Sequence, residues 1–247
     1  MNLMRNYLCI AVFFLQSVSC MFAAHAKSTW SYQGKTGPEY WGKLSSKFRK
    51  CSDGLNQSPI NITGGVNVAQ PKIIFTYTGS GYQVANTGHM LQVTNKPGSK
   101  ITIEKQNYNL KKIELHTPSE HTISGRSYPM EAHFIHADSK GTLTIIAVMF
   151  RSGRDDKNIA AILKSASKRK GSNPLLKALH PMQLLPQNKD YFMYTGSLTS
   201  PPCSEGIRWI VMKNPVTASD KQMRQIKSYF GKNSRPLQPL NSRMITK

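Results

Sequence analysis

Short apolar runs separated by Gly, Pro and Asn dominate the chain after residue 70. Alternating or continuous apolar runs of this length predict β-strands. The run at 142–150 is apolar almost throughout, which is typical of a strand that is buried on both faces. Eight runs are predicted as strands: KIIFTYTG (72–79), GYQVAN (81–86), HMLQVTN (89–95), KITIEKQ (100–106), YNLKKIELH (108–116), MEAHFIHAD (130–138), TLTIIAVMF (142–150) and IRWIVMKN (207–214).

Two segments, 157–168 and 219–230, are predicted as helices. The second begins with Ser219 and Gln222, which have the spacing of a capping box. Strands far outnumber helices, and neither a repeat nor a linker interrupts the chain after residue 30. The pattern therefore predicts one β-dominated mixed α/β domain, built on a large sheet with short peripheral helices.

The N-terminus has the composition of an export signal. A basic residue, Arg5, precedes an apolar run at 8–22, and Ala24-His25-Ala26 follows as an A-x-A cleavage site. A membrane anchor is the alternative, but the run is short for a span. The sequence thus predicts a signal peptide at 1–26 and a mature domain at 27–247 that is periplasmic or secreted, with no membrane span once the signal is removed.

Cleavage there would leave Cys51 and Cys203 as the only cysteines. Two cysteines in an exported chain usually pair. We therefore predict a disulfide, which would close a loop of roughly 150 residues.

The formal net charge is +21, or +20 without Arg5. The basic residues are scattered, with one dense patch, KSASKRK at 164–170, and no nucleic-acid-binding motif accompanies them. We expect no nucleic-acid partner, but attraction to anionic surfaces.

Four of the seven histidines lie between residues 111 and 136. Glu114 and His116 are two apart and share a face of one predicted strand, as His133 does with Glu131 and Ile135 on the next. If the two strands pair, Glu114, His116 and His133 converge. Two imidazoles and one carboxylate form a zinc ligand set, which also suits iron. The alternative is a group of core histidines without a metal.

At these residues the sequence resembles the α-class carbonic anhydrases in their exported bacterial form, over nearly the whole mature chain. The resemblance implies a large, mostly antiparallel sheet with peripheral helices. It is carried by WSYQGKTGPEYWGKL near the start of the mature chain, NQSPINI (56–62), NTGHMLQV (86–93), TPSEHTISGRSYPMEAHFIHAD (117–138), YTGSLTSPPCSEGIRWIVM (194–212) and NSRPLQPLNSR (233–243).

The family binds Zn²⁺ through three histidines. The resemblance assigns the second and third to His116 and His133, whereas the first position holds Glu114. Glu131 matches the carboxylate that orients His133, and Asn233 lies where the family supports the second ligand. Such partners fix the tautomer of a ligating imidazole and raise its basicity.

Three further residues are implied to be catalytic. His89 matches the histidine that shuttles protons to buffer, for which a pKa near the operating pH is suitable. Thr199 matches the threonine that orients the attacking hydroxide, and Glu120 matches the carboxylate that receives that threonine's proton.

The resemblance also implies a substrate pocket. An apolar wall would hold carbon dioxide beside the metal, a small hydroxyl residue would line the pocket, and Tyr32 would join a water network. His121 resembles a structural histidine behind the site, and the cysteine pair matches the disulfide of exported members. The implied pocket residues are Ile135, Ile145, Leu198, Ser200, Ile207 and Trp209.

The family usually places a glutamine two residues before the first ligand, but here that residue is Lys112. Lysine can pair with Glu114 on the same strand face. If Glu114 binds the metal, its negative charge makes the bound water less acidic than three neutral imidazoles would. If Lys112 holds Glu114, two protein ligands remain and zinc occupancy falls.

The expected reaction is the zinc-dependent, reversible hydration of carbon dioxide to bicarbonate and a proton, with an efficiency altered by Glu114. The small molecules carbon dioxide and bicarbonate are therefore the expected partners. The alternative is a non-catalytic, carbonic-anhydrase-like binding module that has lost its metal.

Overall fold

The computed structural model describes residues 29–247, so the predicted signal peptide lies outside the described residues. The described chain contains thirteen strands and four α-helices. The strands are β1 (Asn61–Ile62), β2 (Ile73–Tyr77), β3 (Gly81–Asn86), β4 (Leu91–Asn95), β5 (Ser99–Ile103), β6 (Gln106–His116), β7 (Thr122–Ile123), β8 (Met130–Ala137), β9 (Leu143–Ser152), β10 (Gly171–Leu179), β11 (Tyr191–Ser197), β12 (Glu205–Met212) and β13 (Val216–Ala218).

The helices are peripheral and short. They are α1 (Trp41–Leu44), α2 (Lys50–Asp53), α3 (Lys157–Ser165) and α4 (Asp220–Phe230). Three 3₁₀ turns accompany them at Gly34–Thr36, Ser46–Phe48 and Pro181–Leu184. In the part of the chain that the structure describes, no helix combines the length and apolarity needed to cross a bilayer.

Eleven strands form one sheet, whose main path runs β10-β3-β4-β6-β8-β9-β12-β11. β5 joins it through β6, β2 pairs with β5, and β13 pairs with β9. Most pairs are antiparallel, whereas β9 pairs in parallel with β12 and with β13. This sheet confirms the predicted β-dominated single domain. A separate parallel pair is formed by β1 and β7.

Both faces of the sheet are covered, which is why its central strands are apolar on both sides. On one face Phe134 and Ile146 pack in a cluster that includes Ile159 of α3 and Met223 of α4. On the other face a second cluster surrounds Trp209. Strand β9 is buried from 144 to 150, which confirms the interpretation of its continuous apolar run.

Each predicted strand run contains a strand, but one run includes a turn. KITIEKQ was expected to extend from 100 to 106, whereas β5 ends at Ile103 and β6 begins at Gln106. Glu104 and Lys105 have φ values of 50° and 69°, and such a pair of left-handed residues closes a two-residue hairpin. Strands β10 and β11 and the short strands β1, β7 and β13 were not predicted. β10 contains Pro174 and lacks alternation, because it is a largely exposed edge strand.

The predicted helices both form, and α4 has the expected capping box between Ser219 and Gln222. The first helix ends at Ser165, three residues earlier than predicted. The Asn86 side chain donates hydrogen bonds to the carbonyls of Ser167 and Lys168, which hold this segment in a non-helical path beside the sheet.

Candidate metal centre

The centre lies where β6 and β8 pair at the middle of the sheet. Their antiparallel register places Glu114 opposite His133 and His116 opposite Glu131. Directly opposed residues of an antiparallel pair have Cβ atoms roughly 4.5–5.5 Å apart, so all four side chains belong to one neighbourhood. This register confirms the predicted pairing of the two histidine-bearing strands.

His116 is held by the segment that follows α4. Its Nδ1 lies 2.9 Å from the carbonyl oxygen of Asn233, and a donor at Nδ1 leaves Nε2 as the unprotonated nitrogen. Nε2 is buried and has no hydrogen-bond partner among residues 29–247. The Asn233 side chain also donates to the carbonyl of Leu115, on the same strand as His116. His116 therefore presents one nitrogen that is free to bind a ligand.

His133 is oriented from behind by Glu131. Nε2 of His133 lies 2.8 Å from Oε1 of Glu131, which leaves Nδ1 available on the other side of the ring. The same carboxylate lies within hydrogen-bond distance of Nδ1 of His121. It also accepts hydrogen bonds from the backbone N–H groups of Glu120 and His121. Burial opposes ionisation of Glu131, but the two histidines and their hydrogen bonds hold its pKa well below the usual range.

His121 extends this hydrogen-bonded network away from the centre. Its Nε2 lies 2.7 Å from the Tyr194 hydroxyl, which in turn bonds Ser58 at 2.7 Å. His121, Glu131 and His133 are close enough to form a metal cluster. Their nitrogens and oxygens are already joined by hydrogen bonds, so this group supports His133, consistent with the structural role implied for His121.

Glu120 lies between the two ligand histidines and the C-terminal segment. Its Oε1 accepts the backbone N–H of Arg235 at 2.8 Å. Its Oε2 is buried without a hydrogen-bond partner among the described residues, 3.6 Å from His116 Nδ1 and 3.8 Å from His133 Nδ1. Thr199 is buried, but the implied hydrogen bond from its hydroxyl to Glu120 Oε2 is not formed, because Oε2 is turned toward the imidazoles.

Glu114 forms an ion pair with Lys112. Nζ of Lys112 lies 2.8 Å from Oε1 of Glu114, and it also donates to Oε1 of Gln92 at 3.3 Å. Lys112 is 37% exposed and Glu114 is 15% exposed. In the sheet Glu114 has Gln92 on one side and His133 on the other. The structure thus shows the second of the two arrangements that the sequence left open.

The charge of Glu114 still reaches the histidine centre. Burial of His116 opposes its protonation, but the negative charges of Glu120 and Glu114 raise its pKa. Tyr32 is close to the same two carboxylates; its pKa is raised well above the usual value, first by burial and then by these charges. The Tyr32 hydroxyl is buried without a partner among the described residues.

His89 occupies a tight turn between β3 and β4. Gly88 has φ +88°, a backbone conformation that favours glycine. Its backbone N–H donates a hydrogen bond to Oδ1 of Asn86. The His89 ring stacks on Trp30, with ring centroids 3.8 Å apart. Partial burial and the positive charge of Lys170 lower the pKa of His89. The ring is only half-buried, as transfer of a proton to solvent requires.

The predicted apolar wall is one contiguous cluster around Trp209. The Trp209 ring packs edge-on against His133, with centroids 4.9 Å apart, and its Nε1 donates to the carbonyl of Ser197. Leu198 packs against this cluster and is half-buried, as Ser200 is. The other members of the predicted wall in the cluster are Ile135, Ile145 and Ile207.

Cys51 and Cys203 form the predicted disulfide. Arg235 ties it to the centre, because its guanidinium donates to the Cys51 carbonyl at 2.9 Å while its backbone N–H donates to Glu120. Gln57 accepts from the same guanidinium and donates to the Cys203 carbonyl. The disulfide thus helps to fix the segment around Arg235, whose backbone N–H positions Glu120.

Sequence reasoning missed several residues that support the centre. They lie inside the motif segments that carry the family resemblance, and this position is the only signal that the sequence gives for them. Their partners are distant in the chain, so spacing alone could not assign them. These residues are Trp30, Ser58, Gln92, Tyr194 and Arg235.

The comparisons with known proteins agree on one family. The model of eukaryotic-type carbonic anhydrases matches residues 36–247. A carbonic anhydrase from Neisseria gonorrhoeae is 39% identical, covering 95% of this chain and 94% of its own, and one from Pectobacterium carotovorum is 38% identical, covering 92% and 95%. The solved α-carbonic anhydrase of Thermovibrio ammonificans, in complex with sulfanilamide, superposes with a TM-score of 0.87 at 38% identity, covering 90% of this chain and all of that one.

Proposed function

The chain belongs to the eukaryotic-type carbonic anhydrase family, and we propose how its own residues carry out that family's reaction. It is an enzyme that catalyses the reversible hydration of carbon dioxide to bicarbonate and a proton. The proposal concerns the residues that hold the metal, those that handle the proton, and the consequence of Glu114.

The donor set at the centre fits a divalent metal ion. A buried imidazole nitrogen without a hydrogen-bond partner costs roughly 1–3 kcal/mol, and Nε2 of His116 is such an atom. Nδ1 of His133 is left available by the bond from Nε2 to Glu131. We assign the metal to His116 Nε2 and His133 Nδ1, with zinc expected from the family.

Glu114 is the third ligand in this proposal, and the magnitudes favour its release from Lys112. Breaking even a fully buried ion pair costs about 3–5 kcal/mol, and this pair is only partly buried. Zinc binding at protein sites is worth on the order of 10 kcal/mol. The ion pair is therefore too weak to keep the carboxylate from a metal bound beside it. Lys112 can remain hydrogen-bonded to Gln92.

Glu120 is the competing carboxylate, since it forms a cluster with the two histidines. Its approach to His116 is to Nδ1, the atom that Asn233 already engages. Its other oxygen is occupied by the Arg235 backbone. This favours the implied role of Glu120 as an acceptor that orients a neighbouring hydroxyl group over a role as ligand.

When bound, zinc lowers the pKa of a coordinated water toward neutrality and so supplies hydroxide at neutral pH. Thr199 is assigned to orient that nucleophile, and Glu120 to accept the threonine's proton. This requires Glu120 Oε2 to turn from the imidazoles to Thr199. The apolar wall around Trp209 excludes water and holds carbon dioxide next to His133. Ser200 is assigned to line this pocket.

His89 is assigned to carry the product proton from the centre to buffer. It is half-buried on a turn that precedes β4, whereas His116 and His133 are almost fully buried. A proton released at the centre therefore needs an intermediate carrier, and Tyr32 is assigned to the water network between them.

The observation that carries this proposal is the unpartnered Nε2 of the buried His116. The test is metal analysis of the purified chain 27–247, with carbon dioxide hydration followed by stopped flow. We expect one zinc per chain and hydration well above the uncatalysed rate. Zinc bound at one equivalent with no hydration would contradict the assigned proton-handling residues, and no zinc even in excess would contradict the metal assignment.

One observation favours the non-catalytic binding module as a second candidate, namely the Lys112–Glu114 ion pair itself. If that pair persists in the presence of metal, only two protein ligands remain. The same metal titration discriminates the candidates, because a binding module would not retain zinc through gel filtration.

We also propose that the chain is exported. The supporting observation is the disulfide between Cys51 and Cys203, because disulfides form and persist in oxidising compartments. N-terminal sequencing of protein recovered from a bacterial periplasm should begin at Lys27. A start at Met1 would contradict the signal peptide.

A further inference from the structure

One face of the protein combines α3, β10 and α4. Helix α3 packs against both β10 and α4. Nine exposed basic residues lie on these elements and on the segment that joins α3 to β10. We call this surface the basic face: Lys157, Lys164, Lys168, Arg169, Lys170, Lys177, Lys221, Arg224 and Lys227.

Few acidic groups oppose this charge. Asp155 is exposed at the edge of the face. Asp156 caps α3 and accepts the backbone N–H groups of Asn158 and Ile159. Asp220 accepts a hydrogen bond from the Ser152 hydroxyl. The basic side chains of α3 and β10 therefore face solvent, and the structure shows no ion pair for them within residues 29–247.

The basic face contains an apolar groove between α3 and β10. Its volume is about 460 Å³, and Lys157, Lys164 and Lys177 stand around it. Leu176 lines the groove and is 65% exposed, so its side chain is available for contact together with the lysines around it. Short side chains of α3, Ala160 and Ala161, line it as well. Apolar contact area and cationic groups are thus presented together.

The groove does not favour an added β-strand. β10 is an edge strand, but the N–H of Leu176 already donates to the Ser165 hydroxyl, and Pro174 has no N–H. The Asn173 side chain donates to the Ser165 carbonyl, which fixes α3 along the strand. A second copy of the chain is also disfavoured, because two basic faces would repel each other.

We propose that the basic face docks on an anionic lipid bilayer. Lysine stems lie along apolar surface while their ammonium groups reach the phosphates, and Leu176 enters the boundary between headgroups and acyl chains. Clustered cations near a negatively charged membrane add attraction residue by residue. The cationic groups are spread over α3, β10 and α4 and are not confined to the groove, which fits an extended anionic surface better than a single acidic peptide.

Vesicle flotation tests the proposal, with the chain 27–247 and vesicles of phosphatidylcholine with or without phosphatidylglycerol. We expect binding only to the anionic vesicles. The triple variant K157E/K164E/K177E should bind them roughly tenfold or more weakly. The matched control K47E/K105E/K140E changes net charge equally at exposed lysines outside the face and should retain most of the binding. Unchanged carbon dioxide hydration by each variant will confirm that it is folded.

Leu176→Ser tests the apolar contribution. Binding of this variant should fall several-fold at a salt concentration that screens charge, where insertion carries more of the affinity. The proposal is overturned if the native chain does not float, if the two triple variants bind equally, or if poly-glutamate binds as tightly as the vesicles and is insensitive to Leu176→Ser. The last result would assign the face to an acidic polypeptide.

Discussion

Lys112 Nζ lies 2.8 Å from Glu114 Oε1, at a position in the sheet where Glu114 is directly opposite His133. The Glu114 carboxylate is thus paired with a partly exposed cation, at a strand position directly opposite a buried histidine. Lys112 keeps Gln92 as a second acceptor when it leaves Glu114, whereas the two histidines are fixed by Asn233 and Glu131. Under the proposed ligand set, we therefore expect the pair to alter the affinity of the centre for metal without disturbing the imidazoles.

Glu114→Gln should lower zinc affinity by at least roughly tenfold, because an anionic ligand is removed from the metal. Glu120→Gln is the matched isosteric control. It should lower carbon dioxide turnover and leave zinc affinity nearly unchanged. Competition with a chromophoric chelator measures both affinities. The opposite ranking would make Glu120 the third ligand and would refute the assignment of Glu114.

The double variant Glu114→His with Lys112→Gln should increase turnover near neutral pH. Replacing the carboxylate by a neutral imidazole leaves more positive charge at the metal, so a coordinated water is more acidic. Stopped-flow hydration measured across pH is the readout, with Lys112→Gln alone as the control. A double variant no faster than the single one would show that Glu114 does not limit the site.

Lys170→Gln should raise the pKa of His89, since a nearby positive charge that disfavours the imidazolium is removed. The measurement is NMR titration of the His89 ring, together with the pH profile of turnover at low buffer concentration. Lys168→Gln provides the control. The Lys168 ammonium group donates to the Ser228 hydroxyl and lies over the Tyr229 ring, and it is not among the charges that lower the pKa of His89. Equal shifts in both variants would indicate a general effect of net charge.

His136 should make the protein sensitive to acid. Burial lowers its pKa to about 3, and its Nε2 bonds the Tyr77 hydroxyl at 2.7 Å. The unfolded chain binds this proton near pH 6.5 and the folded chain does not, so stability is fully present above about 6.5 and falls as pH drops toward about 3. The loss approaches about 1.4 kcal/mol per pH unit in that window.

His136→Gln removes this titration, so the variant should lose less stability than the native chain between about pH 7 and about pH 4.5. Urea unfolding at the two pH values gives the difference. His180→Gln is a suitable control, because His180 is exposed. An identical acid sensitivity in the native chain and in His136→Gln would refute the assignment.

Arg235→Met should destabilise the protein by at least about 2 kcal/mol, because the carbonyl oxygens of Ser58 and Cys51 and the amide oxygen of Gln57 lose a buried donor. Reduction of the Cys51–Cys203 disulfide should cost about 2–5 kcal/mol on its own. If both act on the same loop, the two effects will be less than additive in urea unfolding. Full additivity would show that Arg235 does not work through the disulfide-bonded loop.

The sequence by itself determined the strand-rich domain, the capped helix α4, the cysteine pair and the two strands that carry His116 and His133. These follow from local rules: side chains alternate along a strand, Ser219 caps the helix that it precedes, and two cysteines of an exported chain pair. The motif resemblance added the identity of the supporting residues Glu131 and Asn233.

Only the tertiary structure decided the arrangement of Glu114. Strand periodicity put Lys112 and Glu114 on one face with His116, but it did not say which partner the carboxylate would take. That choice depends on Gln92 from β4 and on His133 from β8, which flank Glu114 only after the sheet has formed. The brace from the disulfide through Arg235 to Glu120 likewise joins segments more than a hundred residues apart. No local pattern encodes such contacts, because they arise from how the whole chain packs.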